Sequence, residues 1–351
     1  MIYFDNAATT PVLDCAWEAM RNCEFANPSS SHAAGREAKA ALENARATIA
    51  RCLNCAPCEV YFTSGATEAC NWMVKCLRIE SDGIIYNGTV HHAVSEGIHA
   101  YSSPNAPRGK PSAVLSLVNN ETGQISDVAA FCRKNRPHSI GLDATAAVGH
   151  LPIDFLALGA DYMAFGGHKF GAPKGIGALI VWELRGCPIT PLLHGGAQER
   201  GMRGGTVSVP LASAMAAALA WHTKNMADNV IHIHKVRDQL IFDLAQLGVD
   251  HIVNFNDGHR RVADHILSIR FPGVYGATLA AALSENGVMV STGSACSSGD
   301  NAASANLMSS GLTEQQALET IRFSFDWYNT TAEASEAAGI IARLVPALRR
   351  G

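Results

Sequence analysis

The chain has no long basic run, and its formal net charge is only −4 across 351 residues. Nucleic acid and anionic membranes are therefore disfavoured as direct partners. No apolar stretch approaches the length needed to span a bilayer. The first residues, Met1-Ile2-Tyr3-Phe4-Asp5-Asn6, lack the basic region and apolar core of a secretory signal. The expectation is a cytoplasmic protein, with organellar import of a longer precursor as the alternative. No internal repeat or low-complexity linker stands out. Ten cysteines are scattered along the chain, and in a cytosolic setting they read as thiols. Cys52, Cys55 and Cys58 form a Cys-x-x-Cys-x-x-Cys run, which invites an iron–sulfur or metal reading. No second pair with zinc spacing and no obvious fourth ligand accompany it. The plainer reading is a cysteine-rich connection from helix to strand, and no metal site is assigned.

Hydrophobic residues make up 48% of the chain and charged residues 17%, as in a globular protein with a large core. The length favours two domains. Residues 31–53 have the helical period, with Ala34, Ala38, Leu42, Ala45 and Ile49 on one face. Arg36, Lys39, Glu43 and Arg46 are expected on the other. Strand signals recur at 60–63, 83–86, 113–118, 139–142, 162–165 and 178–182, with helices or loops between several of them. That alternation predicts an α/β domain with a largely parallel sheet covered by helices. Beyond Thr206 the pattern changes. Helices are expected at 211–225, 229–247 and 277–286, and strands at 251–255, 265–271 and 321–325. A last helix should begin near Thr330, where Glu333 offers a capping box. The expected division is an N-terminal arm over 1–15 packing with the small domain, a large domain over 16–225, and a smaller α+β domain over 226–351.

Lys169 is the most informative residue. It follows the apolar strand signal Tyr162-Met163-Ala164-Phe165, inside Gly166-Gly167-His168-Lys169-Phe170-Gly171. A lysine just past a strand end, among glycines that allow close approach, is placed for chemistry. Asp143, 26 residues earlier, ends another strand signal. A lysine for an imine and an aspartate for a pyridinium nitrogen are what pyridoxal phosphate (PLP) asks of a protein. Ser64-Gly65-Ala66-Thr67-Glu68 lies between strand and helix, as a phosphate cradle or as a plain helix cap. His91, past another strand, is either a ring-stacking acid–base group or structural. Asn119-Asn120-Glu121-Thr122-Gly123 is either a cofactor contact or an Asn-rich turn. The glycine-dense stretch 195–206 is either a functional loop or a loose connection. In Thr292-Gly293-Ser294-Ala295-Cys296-Ser297-Ser298-Gly299, Cys296 has the small neighbours that a swinging nucleophile needs, or is a bystander.

Together these segments resemble the cysteine desulfurases, class V aminotransferase-like enzymes of PLP fold type I. The likeness runs from Tyr3-Phe4-Asp5-Asn6-Ala7-Ala8-Thr9-Thr10-Pro11, through Asn27-Pro28-Ser29-Ser30-Ser31-His32, to Ile321-Arg322-Phe323-Ser324. The cysteine segment resembles the group whose nucleophile rides on a long mobile loop. The resemblance implies that Lys169 holds PLP covalently and that Asp143 pairs with its ring nitrogen. It implies that His91 stacks on the ring as acid–base, and that Ala66, Thr67 and His168 hold the phosphate. Thr206 would reach the phosphate of the partner subunit in a homodimer. Asn120 would lie near the ring hydroxyl and the substrate carboxylate, which Arg322 and Asn27 would bind. The implied reaction removes sulfur from L-cysteine, leaving L-alanine and a persulfide on Cys296. An acceptor protein would take that sulfur for iron–sulfur clusters, tRNA or other thiolation. A selenocysteine lyase, a cysteine C–S lyase and a weakly active scaffold are the alternatives. Two positions depart from the family pattern. Ala146 stands where a glutamine is usual, and Gly166 where a serine or threonine phosphate donor is usual.

Overall fold

The computed structural model describes residues 1–81, 83–86, 90–101, 109–256, 258, 260–292 and 302–349. Cys296 lies outside the described residues. The strands in chain order are β1 (Ile2–Tyr3), β2 (Val60–Thr63), β3 (Ile84–Tyr86), β4 (Ser112–Ser116), β5 (Ile140–Asp143), β6 (Tyr162–Gly166), β7 (Gly177–Val181), β8 (Ile252–Val253), β9 (Ile266–Arg270), β10 (Val288–Met289) and β11 (Thr320–Ser324). The helices are α1 (Asp14–Arg21), α2 (Ala33–Leu53), α3 (Ala66–Glu80), α4 (His92–Ala100), α5 (Val128–Asn135), α6 (Phe155–Leu158), α7 (Val209–Gln246), α8 (Gly276–Glu285), α9 (Ala305–Ser309), α10 (Glu314–Leu318) and α11 (Thr331–Arg349).

The chain divides into two compact units. One comprises Pro11–Leu117 and Ser126–Met226. Its six-stranded sheet has the order β2-β7-β6-β5-β4-β3. From β3 to β6 the neighbours are parallel, and β7 runs antiparallel to both β6 and β2. Every residue of β4, β5, β6 and β7 is buried, which explains why these strands read as unbroken apolar runs. Trp72, Met73, Val74, Cys76 and Leu77 of α3 join Tyr61, Val114, Tyr162 and Leu179 in one core. Helix α2 buries Ala38, Leu42, Ala45, Ile49 and Leu53. It is capped by His32, whose Nδ1 accepts from Gly35 N, and it ends at left-handed Asn54.

The other unit comprises Met1–Thr10, Val118–Ile125 and Ala227–Gly351. Its three-stranded sheet, β11-β9-β8, is antiparallel throughout. Strand β1 pairs in parallel with β10. Phe4, Val236, Leu240, Leu267, Phe323, Phe325, Ala337 and Ile341 lie in its core. The Thr330–Glu333 capping box forms as the spacing predicts: Glu333 N donates to Thr330 Oγ1, and Thr330 N donates to Glu333 Oε2 at 2.8 Å. Two local expectations change. The two helices expected at 211–225 and 229–247 are one helix, α7, because no Gly or Pro interrupts residues 226–228. Arg46 does not face solvent. It is 3% exposed and paired inside.

Candidate active site

Several chemistry-bearing residues of the Pro11–Leu117 and Ser126–Met226 unit lie at one end of the parallel strands in its sheet. Asp143 is the last residue of β5, and Ala164 on the adjacent parallel β6 stands opposite it. Two residues beyond Ala164, β6 ends at Gly166, and a single helical turn over Gly167–Lys169 follows. Lys169 and Asp143 are thus delivered by neighbouring strands that point the same way. Ligands bind at such strand ends in open α/β sheets. Asp143 is 8% exposed, and its Oδ1 accepts from Thr145 N at 3.0 Å. Thr145 Oγ1 beside it is buried and has no partner among the described residues. Such an atom awaits a group to bond.

Two neighbours report that Lys169 and Asp143 share one space. Cys70, fully buried on α3, has its thiol pushed well above its ordinary value by burial and then by the Asp143 carboxylate, with Lys169 pulling the other way. His91 is held below the usual histidine value, chiefly by burial, while Asp143 raises it and Lys169 and His92 lower it. His91 also caps α4, its Nδ1 accepting from Ala93 N at 3.1 Å. The neutral ring therefore carries its proton on Nε2.

Helix α3 begins at the same place. No side chain caps its N-terminus, so its first N–H groups remain an anion site. A Cβ on Gly166 would come within 3.1 Å of Ala66 N and 3.2 Å of Ala66 Cβ. The bare glycine thus lets the Lys169 turn approach the helix start. A side chain there would press on the start of α3, which would have to give by a few tenths of an ångström. Gly166→Ser is expected to cost about 1–3 kcal/mol of stability, read from a denaturant midpoint, without tightening cofactor binding.

His168 lies on the same turn. Burial, then the charges of Lys169 and Lys174, pushes it down to about 4. The folded ring stays neutral where the unfolded chain, at about 6.5, takes up a proton. Its contribution to stability is therefore complete above pH 6.5 and falls as pH drops toward 4. A dianionic phosphate beside it would favour the charged ring. Titration of His168 by NMR should show a value near 4 in the cofactor-free protein and a higher one once a phosphate binds.

The stretch 195–206 is a pinned loop. Glu199 receives both guanidinium arms of Arg46, at 2.7 and 2.9 Å, and Phe62 N at 2.8 Å. Arg200 lies over the Tyr61 ring at 4.0 Å. Arg203 grips Glu68 of α3 with two bonds, at 2.9 and 3.0 Å. The loop leaves Thr206 exposed. Asn27 is exposed too, and its Oδ1 accepts from Ser29 N.

In the other unit, Arg322 is 4% exposed on β11. Its Nη1 donates to the Asn120 carbonyl at 2.9 Å and its Nη2 to Asp5 Oδ1 at 2.7 Å, while its buried Nε has no partner among the described residues. A guanidinium with an unused donor suits a carboxylate. Asn119, not Asn120, builds the turn, its Oδ1 accepting from the N–H groups of Glu121 and Thr122 at 2.9 Å. Cys55 has its thiol pushed up to about 12, first by burial. No cluster of three or more metal-ligating side chains occurs among the described residues. No described helix is long and apolar enough to cross a membrane.

The fold and this end of the sheet define a class. The Aminotransferase class-V family model matches residues 2–102 and 111–336, and the chain belongs to that family. Among curated proteins, it is 32% identical to the cysteine desulfurase IscS of Methanosarcina thermophila, covering 99% of this chain and 93% of that one. A solved NifS-like protein superposes with a TM-score of 0.87 at 31% identity, over 99% of this chain and 100% of the other. A structure described as SspA in complex with cysteine matches with a TM-score of 0.78 at 28% identity, over 94% and 100% of the two chains. The mainly parallel α/β architecture is that of PLP fold type I, and the family is PLP-dependent. The side chains fit that cofactor: a carboxylate at the end of β5 and an amine on the turn just after the adjacent β6, an uncapped helix start for its phosphate, and a neutral histidine nearby.

Proposed function

We propose that this protein is a cysteine desulfurase, removing sulfur from L-cysteine and leaving L-alanine. The observation that carries the reading is the placement of Lys169 and Asp143 at adjacent strand ends, both felt by His91 and Cys70. PLP, when bound, acts as an electron sink for bonds broken at the substrate Cα. Lys169 supplies the amine that binds its aldehyde. Asp143 would hold the ring nitrogen protonated, a charge-assisted bond being stronger than a neutral one. Ala66 N–H, Thr67 and His168 hold the phosphate. His91, neutral with Nε2–H, would lie against the ring and exchange protons. Arg322, with Asn27 and Asn120, binds the substrate carboxylate through its fork of donors.

Cys296 then takes the sulfur. Its thiolate forms an S–S bond to the substrate sulfur as the C–S bond breaks, and the carbon skeleton leaves as alanine after protonation. The persulfide passes to an acceptor protein, for iron–sulfur cluster assembly or another thiolation. Support for the acceptor role comes from the name of the Methanosarcina relative. We further propose a cytoplasmic homodimer in which Thr206 serves the partner's phosphate. The exposure of Thr206 on a firmly pinned loop supports that reading.

Incubation with L-cysteine should place one extra sulfur on Cys296, detected by mass spectrometry, with matching alanine. Cys296→Ala should slow sulfur release by about a hundredfold or more, the scale of an essential catalytic group, while keeping the bound cofactor. Full activity in that variant would refute the proposal.

A further inference from the structure

We propose that His150 is a positioning residue for Lys169. The ring is 7% exposed, and its Nε2 lies 2.9 Å from the Lys169 carbonyl oxygen. A carbonyl only accepts, so Nε2 carries the proton and donates. His150 ends a short segment that begins at Asp143 and turns through three backbone bonds, Ala147 N and Val148 N to Ala144 O and His150 N to Ala147 O. One stretch of chain therefore leaves the residue assigned to the ring nitrogen and returns to grip the residue assigned to the aldehyde.

The grip is backed from both sides. Gly149 has φ +85°, and a Cβ there would lie 2.3 Å from Phe170 Cβ. Only glycine brings this segment so close to the lysine turn. Behind His150 stands His222 of α7, 1% exposed, with ring centroids 5.9 Å apart. His222 in turn meets Phe170 edge-on at 6.4 Å. The imidazole is thus buried against His222, and its bond fixes the backbone from which the Lys169 side chain departs. A misplaced lysine would lose the alignment that an in-place amine offers.

The inference rests on Lys169 being the cofactor lysine, and the experiment separates the two claims. Borohydride reduction of the wild-type holoenzyme, followed by peptide mass spectrometry, should find the cofactor fixed on Lys169. A cofactor fixed elsewhere overturns the reading and the inference with it. Two polar variants then test His150 itself. Glutamine can place a donor where Nε2 stood, and asparagine, being shorter, cannot. His150→Asn should lower kcat about tenfold with little change in KM, the effect of one lost bond to a buried carbonyl. In the cofactor-free protein, amide exchange across residues 166–172 should also quicken about tenfold in that variant. His150→Gln should hold both readouts within about threefold of wild type. If asparagine leaves kcat and exchange unchanged, or glutamine fails as badly as asparagine at equal thermal stability, His150 does not position the lysine.

Discussion

Lys169→Ala is expected to lose cysteine turnover by a factor on the order of 10³ or more, while the protein folds and still holds the cofactor's phosphate. The lysine follows a strand whose residues are all buried, so its backbone cannot drift and no other described amine takes its place on this turn. Loss of the one amine that ties the cofactor covalently is expected to cost at least as much as loss of a single proton transfer, which is about 10²–10⁴-fold. The uncapped start of α3 and the neutral His168 are untouched by the change. Added PLP should therefore bind reversibly and wash out on dialysis, where the wild type retains it. Turnover of cysteine at a wild-type rate by this variant would remove the basis of the proposed function.

Much of this site was legible because its residues are local in sequence. Strand, glycine, His-Lys, glycine is one continuous stretch, and so is the strand that ends at Asp143. Buried parallel strands announce themselves as apolar runs, which is why β4 to β7 fell within a few residues of their expected places. The family pattern then supplied roles that spacing alone left open. What could not be read is contact between distant segments. His150 meets Lys169 across 19 residues, and nothing in the pattern around it distinguishes it from the other thirteen histidines. Gly166 looked like a loss of a phosphate donor. The donor is absent, and the glycine's neighbour Ala66, a hundred residues away, shows in addition that a side chain there would press on the helix start.

The misreading of Arg46 has the same origin and leads to the second large effect. Helical period places Arg46 one position from Ala45, and a charge beside a buried face is ordinarily solvated. Glu199 reverses that, 153 residues later. The carboxylate stands in the left-handed region at φ 46°, with Arg200 after it at φ 58°. Two such residues in sequence cost about 1–2 kcal/mol each, so the loop needs a strong tie. Arg46 provides it, donating to Glu199 and also to Val60 O at 2.6 Å. Burial works against the charge of Arg46, yet the Glu199 carboxylate more than offsets it and the guanidinium is held above its usual value. Removing Arg46 strands Glu199 in the interior, and removing Glu199 leaves Arg46 only the half-exposed Glu43 as a charged partner, 3.1 Å from its Nε. Glu199→Ala or Arg46→Ala should each cost about 3–5 kcal/mol, whereas Arg46→Met with Glu199→Leu should cost distinctly less, because no charge is left unpaired. Urea midpoints at constant slope would measure all three, and the shortfall from additivity gives the coupling. The same loop carries Thr206, so the single variants should also release PLP faster than wild type. If each single change costs no more than an exposed ion pair, below about 1 kcal/mol, then the backbone holds this loop without the pair, and the strain at Glu199 and Arg200 is balanced by something else.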